Sequence, residues 1–211
     1  MERTGRLLVI SGPSGVGKGT IVSRVMEHLG ETVKLSISAT TREPRPGEQD
    51  GVHYHFLSEE AFLHRVEKGE FLEYASVHGH YYGTPRPPVE AALQEGNDVI
   101  LEIDVQGAMQ VKENFQGGVY IFILPPSIRE LRNRLQSRTT ETEEDLERRM
   151  AKALAEIDYL DRYDYAVVND DLAAAEREVL SIIEAEHCRV SGETALTIQR
   201  ELSESEQTGR F

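Results

Sequence analysis

The sequence predicts an α/β fold in which a parallel sheet is covered by helices on both faces and carries a smaller inserted module. Three observations support this. Short apolar runs, "LLVIS", "DVILEID", "VYIFIL" and "YAVVN", alternate with amphipathic segments along the 211 residues. Strands buried on both faces need such unbroken runs, and helices between them imply parallel crossovers. The first run leads into a glycine-rich turn, "GPSGVGKGT", that opens a helix. From Thr40 to Pro88 the composition shifts to prolines, aromatics and short strand-like pieces, which reads as an insert.

In chain order, Leu7–Ser11 is expected as a strand and Ile21–Leu29 as the continuation of a helix after the turn. Val33–Ala39 is a second strand candidate. Within the insert, "HYHFL" and "FLEYASV" flank "SEEAFLHRVEKGE", a helix with Ser58 as its N-cap. Ala61 stands where a capping box would need Glu or Gln, yet Glu59 and Glu60 still suit the helix dipole. Then come the strand "DVILEID", a helix near Gln106–Glu113, the strand "VYIFIL" and a helix at about Ser127–Gln136. A long helix at Glu143–Leu160, the strand "YAVVN" and a helix at Leu172–His187 complete the core. No internal repeat is present. The polar, glutamate-rich end is expected to be frayed or partly disordered. These readings divide the chain into a core (5–36 and 89–187), an insert (37–88) and a tail (188–211).

Composition narrows the function class. A net charge of −14 argues against a nucleic-acid surface, which needs a basic stripe. It leaves room for a small anionic substrate held by local arginines. No apolar run approaches the ~20 residues of a membrane span, and no apolar stretch follows a basic region at the N-terminus. Cys188 is the lone cysteine, which excludes an internal disulfide framework. A cytoplasmic location is the expectation.

The opening turn carries the most specific chemistry. Gly12, Gly17 and Lys18 satisfy G-x-x-x-x-G-K between a strand and a helix, the context of a phosphate-binding loop. Glycines let successive backbone N–H groups turn toward a polyphosphate, the helix N-terminus adds positive potential, and Lys18 supplies a point charge. Gly12, Pro13, Ser14, Gly15, Val16, Gly17, Lys18, Gly19 and Thr20 are therefore expected to bind a nucleoside triphosphate. A hydroxyl normally follows the lysine to ligate magnesium, but Gly19 stands there, with Thr20 next. That departure is familiar in small nucleotide kinases carrying "GKGT", whose metal is held largely through water and phosphates. Downstream, Arg42 and Arg45 lie three residues apart beside two prolines, a stiff pair suited to a second phosphate. Alone they would be ordinary loop arginines.

Taken together, "GPSGVGKGT", "TTREPRPGEQDGVHYHF", "GEFLEYASVHGHYYGTP", "ILEIDVQGA", "RTTETEEDLERRM" and "VVNDDL" resemble the guanylate kinase family, in that family's order and over about residues 5–187. The resemblance implies a P-loop fold with a GMP-binding insert and a short lid at about 138–150. It also implies the reaction ATP + GMP → ADP + GDP, with ATP in the loop Gly12–Thr20 and Mg2+ as cofactor. dGMP is expected as a further acceptor because nothing obvious in the sequence forces recognition of the ribose 2′-OH, and charge and composition leave no expected nucleic-acid or membrane partner. It makes Arg42 and Arg45 the acceptor-phosphate arginines, with Tyr54 and Tyr82 offering hydroxyls and Glu48 organising their loop. Ser38, Glu73 and Thr84 match the side chains that read guanine. Guanine presents N1–H and N2–H2 side by side, which one carboxylate accepts together, whereas adenine would leave that carboxylate unpaired.

The resemblance further selects Arg138 and Arg149 as catalytic cations alongside Lys18 and Arg45, and leaves Arg148 as a surface residue paired with Glu144. Asn169 and Asp170 match a segment near adenine, while Asp170 or Asp171 also suits the N-cap of the last helix. Asp104, at the carboxyl end of its strand, serves GMP or orders metal waters, and Glu102 shares that choice. No direct protein ligation of the metal is expected, with Thr20 and Asp104 the side chains open to it. Tyr81 reads as core of the insert. His53, His55, His78 and His80 lack the further ligands of a metal site. A binding module without catalysis, or a kinase for another acceptor, are the rival readings. The intact loop and the arginines oppose the first, and Ser38 and Glu73 oppose the second.

Overall fold

The computed structural model describes residues 5–136 and 142–190, with positions 195, 196, 199, 200 and 203. The core begins with β1 (Leu7–Ser11), α1 (Lys18–Leu29) and β2 (Val33–Leu35). The chain then builds β3 (Ala39–Thr40), β4 (His55–Phe56), α2 (Glu59–Glu67), β5 (Phe71–Val77) and β6 (His80–Pro85). It returns through α3 (Arg86–Gln94), β7 (Asp98–Glu102), α4 (Val105–Asn114), β8 (Val119–Leu124) and α5 (Ile128–Gln136). The last elements are α6 (Glu143–Ile157), β9 (Tyr165–Val168) and α7 (Leu172–His187).

Five strands form an all-parallel sheet in the order β2-β7-β1-β8-β9. Alternation along β1 explains the three layers. Leu8 and Ile10 join Ile21, Val25, Val179 and Ile183 on the α1 and α7 face. Leu7 and Val9 join Val89, Leu93, Ala108 and Val111 on the α3 and α4 face. The central position of β1 puts its carboxyl end, and the turn after it, at the middle of the sheet's ligand-binding edge.

The second sheet runs β4-β3-β6-β5, with β3 antiparallel to β6 and β5 antiparallel to β6. Its core is small: Phe62 of α2 stacks on Phe71 at 4.4 Å and on Tyr81 at 5.5 Å between ring centroids. Ser58 caps α2 by accepting from the Ala61 N–H, 3.1 Å. The sheet is tied to the core through α4: Asn114 donates to the Leu72 carbonyl, and Gln110 accepts from the Tyr74 N–H.

Three elements differ from the sequence expectation. The strand expected over Val33–Ala39 is split. Its first part pairs with β7, and Ala39–Thr40 crosses to the second sheet. Helix α3 is not among the expected elements, because prolines at 85, 87 and 88 obscure it; proline is compatible with a first helical turn, where no N–H partner is lost. The long helix ends at Ile157, short of Leu160, and a 3-10 turn follows at Leu160–Arg162. Most of the tail, and the first part of the expected lid, lie outside the described residues.

Because so few large side chains hold the second sheet, Phe62→Ala is expected to cost about 3–5 kcal/mol locally. Limited proteolysis should then cut within residues 37–88 before the core is cleaved. Cleavage of core and insert at equal rates would contradict a separate small core.

Candidate active site

The turn after β1 is built by close approach and by satisfied carbonyls. Gly12 has φ 142°, and a Cβ there would lie 2.3 Å from the Ile123 carbonyl oxygen of β8. Gly17 has φ 96°, and its Cβ would lie 2.6 Å from Asn169 Nδ2. The Lys18 ammonium donates to the carbonyls of Gly12 (2.6 Å) and Pro13 (3.1 Å). Asn169, buried after β9, donates to the Val16 carbonyl at 2.7 Å. Arg134 of α5 donates to the Asn169 carbonyl at 3.1 Å. Gly17 brings no capping side chain to α1, so the helix's first amides stay open to an anion.

The loop borders a cleft of about 690 Å3, lined by Ser14, Lys18, Gly19, Thr20 and Glu102 among others. Here the glycine after the lysine finds its reason. A Cβ on Gly19 would lie 3.2 Å from Glu102 Oε1, so the β7 carboxylate fills the space that a serine or threonine side chain would take. Burial pushes the Glu102 carboxyl up, and the neighbouring Lys18 charge opposes this. Burial likewise pulls Lys18 below the usual lysine range, opposed by Glu102, Glu156 and Asp104 in that order. The structure separates the two acids left open by the sequence. Glu102 faces the loop, whereas Asp104 caps α4, its Oδ1 accepting from the Gly107 N–H at 2.9 Å.

On the insert, Glu48 accepts from both Arg42 guanidinium nitrogens at 3.0 Å and from the Arg45 N–H at 2.7 Å. These bonds, with that of Arg42 first, hold its carboxyl down at about 2. The Arg42 guanidinium also lies 5.5 Å from the Tyr54 ring centroid, and Tyr54 meets Tyr82 edge-on at 6.1 Å. The Arg45 side chain is exposed.

Glu73 and Thr84 are direct cross-strand partners on β5 and β6. The Thr84 hydroxyl donates to Glu73 Oε1 at 2.6 Å. Ser38 immediately precedes Ala39, which pairs with Gly83, so the register carries it beside Thr84. A Cβ on Gly107 would come within 3.0 Å of Glu73 Oε2; the bare helix start makes room for that carboxylate. Glu73 is only 8% exposed. Burial pushes its carboxyl up to about 7; hydrogen bonding to Thr84 opposes the rise and the charge of Asp104 adds to it.

From α6, Arg149 reaches the loop, its Nη2 donating to Ser14 Oγ at 3.3 Å. Arg138 lies outside the described residues. Arg148 pairs with Asp145 at 2.7 Å instead of the expected Glu144; both acids lie within helical reach, and the pair that forms is the i,i+3 one. A second pocket, about 330 Å3, is lined by Arg134, Asn169, Asp170 and Leu172 beside Gly15, Gly17 and Thr20. Asp171, of the two candidates, caps α7 by accepting from the Ala174 N–H. Tyr81 packs on Phe62. His53 accepts from the Gln49 N–H, and among the described residues no group of three or more His, Cys, Asp or Glu is arranged for a metal.

Sequence reasoning passed over Arg134, one of several arginines on an amphipathic helix with nothing to distinguish it. It also passed over Lys152 and Glu156, although Lys152 follows Arg149 at helical spacing.

Comparison with known proteins agrees with this geometry. Residues 4–186 match the guanylate kinase family. The chain belongs to that family. It is 54% identical to a guanylate kinase of Caldanaerobacter subterraneus subsp. tengcongensis over 190 residues, 90% of this chain and 92% of the relative. It is 52% identical to one of Desulfitobacterium hafniense over 189 residues, 90% and 94% of the two chains. The crystal structure of guanylate kinase from Anaplasma phagocytophilum superposes with a TM-score of 0.70 at 35% identity, covering 90% of this chain and 89% of that one. The chain is therefore a nucleoside-monophosphate kinase. Among the described residues no helix is long and apolar enough to cross a membrane.

The raised Glu73 carboxyl has a thermodynamic sign. Its folded value lies above the ordinary 4.5, so its contribution to stability is intact in acid and is lost as the pH rises through about 7. Glu73→Gln should remove that loss, and urea unfolding should find the variant more stable than the parent by about 1–3 kcal/mol at pH 8. Near pH 4 the two should be alike. A variant gaining nothing at pH 8 would contradict the assigned burial.

Proposed function

We propose that the chain transfers the γ-phosphoryl group of ATP to GMP, giving ADP and GDP, with the loop and the insert holding donor and acceptor. The observation that carries the acceptor assignment is the Glu73 carboxylate. It is buried, accepts from Thr84 on one oxygen, and has its other oxygen against the bare backbone of Gly107. Such a group gains most from a base that offers two donors in a row, as guanine does, and is left unpaired by adenine. Ser38 and Thr84 complete the base contacts. Arg42, Arg45, Tyr54 and Tyr82 take the acceptor phosphate, in a loop that Glu48 has already ordered. Pre-ordering lowers the entropy cost of binding. dGMP is an acceptor too.

On the donor side, the loop from Gly12 to Thr20 and the start of α1 take the polyphosphate, and the pocket of Asn169 and Asp170 takes adenine. Lys18, Arg45, Arg138 and Arg149 spread positive charge over the oxygens of the group in transfer and hold donor and acceptor in line. Exclusion of water from the closed site suppresses hydrolysis of ATP without an acceptor.

The site suits Mg2+. Thr20 and Glu102 present hard oxygen atoms to the cleft, Glu102 occupies the space beside Gly19, and Asp104 follows two residues on with its Oδ2 turned away from the α4 cap toward Lys152. Thr20, Glu102 and Asp104 would hold the ion through its waters, and when bound it neutralises charge on the donor phosphates. The lone cysteine supports a cytoplasmic location.

ADP formation with Mg-ATP and GMP, AMP, CMP, UMP or no acceptor tests the reading. GMP alone should give rapid turnover, and the no-acceptor rate should be lower by about 100-fold or more. Glu73→Gln should lose most of the preference for GMP. Brisk turnover without acceptor, or a preference for another monophosphate, would overturn the assignment.

A further inference from the structure

One charged side chain beside Asp104 has no part in this division of labour. Lys152 lies one helical turn beyond Arg149 on α6, so the two project from the same face. Its ammonium stands 3.5 Å from Glu156 Oε1 and 3.7 Å from Asp104 Oδ2. It is also close enough to Lys18 to disfavour that lysine's charge. Asp104 in turn acts on the carboxyl of Glu73. Lys152 thus stands where the donor side, marked by Lys18, meets the acceptor side, marked by Asp104 and Glu73.

Its anchor is unusual. Glu156 is 5% exposed, and its Oε2 has no hydrogen-bond partner among the described residues. Burial pushes its carboxyl up, and Lys152 is the largest influence in the other direction. A buried carboxylate with one oxygen unpaired costs more than an apolar residue of the same volume. That cost is reasonable where the anion has a task, and the group it touches is the ammonium of Lys152. The lysine side chain is itself 63% exposed and would otherwise be free to sample many rotamers.

We propose that Lys152 is a further catalytic cation, contacting the phosphoryl group in transfer, and that Glu156 is the positioning residue that holds it there. This rests on the phosphoryl-transfer reading above. In that step an oxygen of the acceptor phosphate forms its bond to the γ-phosphorus as the bond from the β–γ bridging oxygen breaks. The bridging oxygen keeps the electron pair as part of ADP. Lys152 stays protonated throughout and stabilises charge on the equatorial oxygens.

The test is steady-state kinetics of the full chain and four variants, Lys152→Met, Lys152→Arg, Glu156→Gln and Lys152→Met with Glu156→Gln, each with its thermal midpoint. Lys152→Met should lower kcat about 10-fold or more and leave the KM of ATP and GMP within about 2-fold; its midpoint should fall, because Glu156 loses its partner, and should recover in the double variant while kcat does not. Lys152→Arg should recover much of the loss. Glu156→Gln should lower kcat alone but add little once Lys152 is gone. The Lys152 pair carries the test if Glu156→Gln does not fold. Parental kcat in Lys152→Met, a rise in KM without a fall in kcat, or equal losses from Glu156→Gln in both backgrounds would overturn the proposal. Failure of the parent chain to phosphorylate GMP would instead overturn the reading beneath it.

Discussion

The phosphate loop depends on where its carbonyls go. To turn its amides toward an anion the backbone must send carbonyl oxygens the other way, and inside a protein each needs a donor. Lys18 serves Gly12 and Pro13, and Asn169 serves Val16. Asn169 comes from the far end of β9, and its own carbonyl is held by Arg134 of α5. The sheet order β1-β8-β9 brings that residue back under the turn. Tight contact of Gly12 with β8 and of Gly17 with Asn169 leaves no alternative path for the chain. The fold is the means by which one short turn is kept in a conformation it would not hold alone.

The second constraint is a set of carboxylates that the site must keep apart. Glu102, Asp104 and Glu73 lie on or beside the edge where the two sheets meet, and each has a different neighbour. Glu102 has the Lys18 charge, Asp104 has the α4 N-terminus, and Glu73 has the Thr84 hydroxyl and little else. Glu73 is consequently the one pushed up to about 7. In the proposed binding step, a carboxyl that the dry pocket keeps about half protonated at pH 7 ionises fully when guanine supplies the donors that water cannot. The same burial that makes it selective makes it a burden on stability, a common trade at binding sites.

The core strands and most helices were legible because their pattern is local: "LLVIS" and "VYIFIL" admit few other readings, and Ser58 and Asp171 are capping residues at the positions where helices begin. Helix α3 was hidden by the prolines that begin it. The break of Val33–Ala39 between two sheets was hidden because both halves have strand character and only tertiary pairing divides them. At the site, residue types at motif spacing pointed to the loop and drew attention to Arg42 and Arg45, whereas Glu48 and Glu73 were legible only through the resemblance to the guanylate kinase family, since a glutamate by itself reads as a surface residue. The task of Gly19 was not legible, since it is set by Glu102, a distant residue on β7. Nor was the tie from Asn169 to Val16, because an asparagine after a strand reads equally well as a cap or a ligand contact. Relations between distant residues of unlike elements leave no mark in a single sequence.

The claim that Glu73 ionises fully on binding guanine is tested most directly by counting protons. GMP would be titrated calorimetrically into the protein at pH 7 in buffers of different ionisation enthalpy, with Glu73→Gln as the reference. Release of about half a proton per GMP bound, beyond that of the variant, is expected, since a carboxyl titrating near 7 is half protonated there. Equal proton release by parent and variant would contradict the claim.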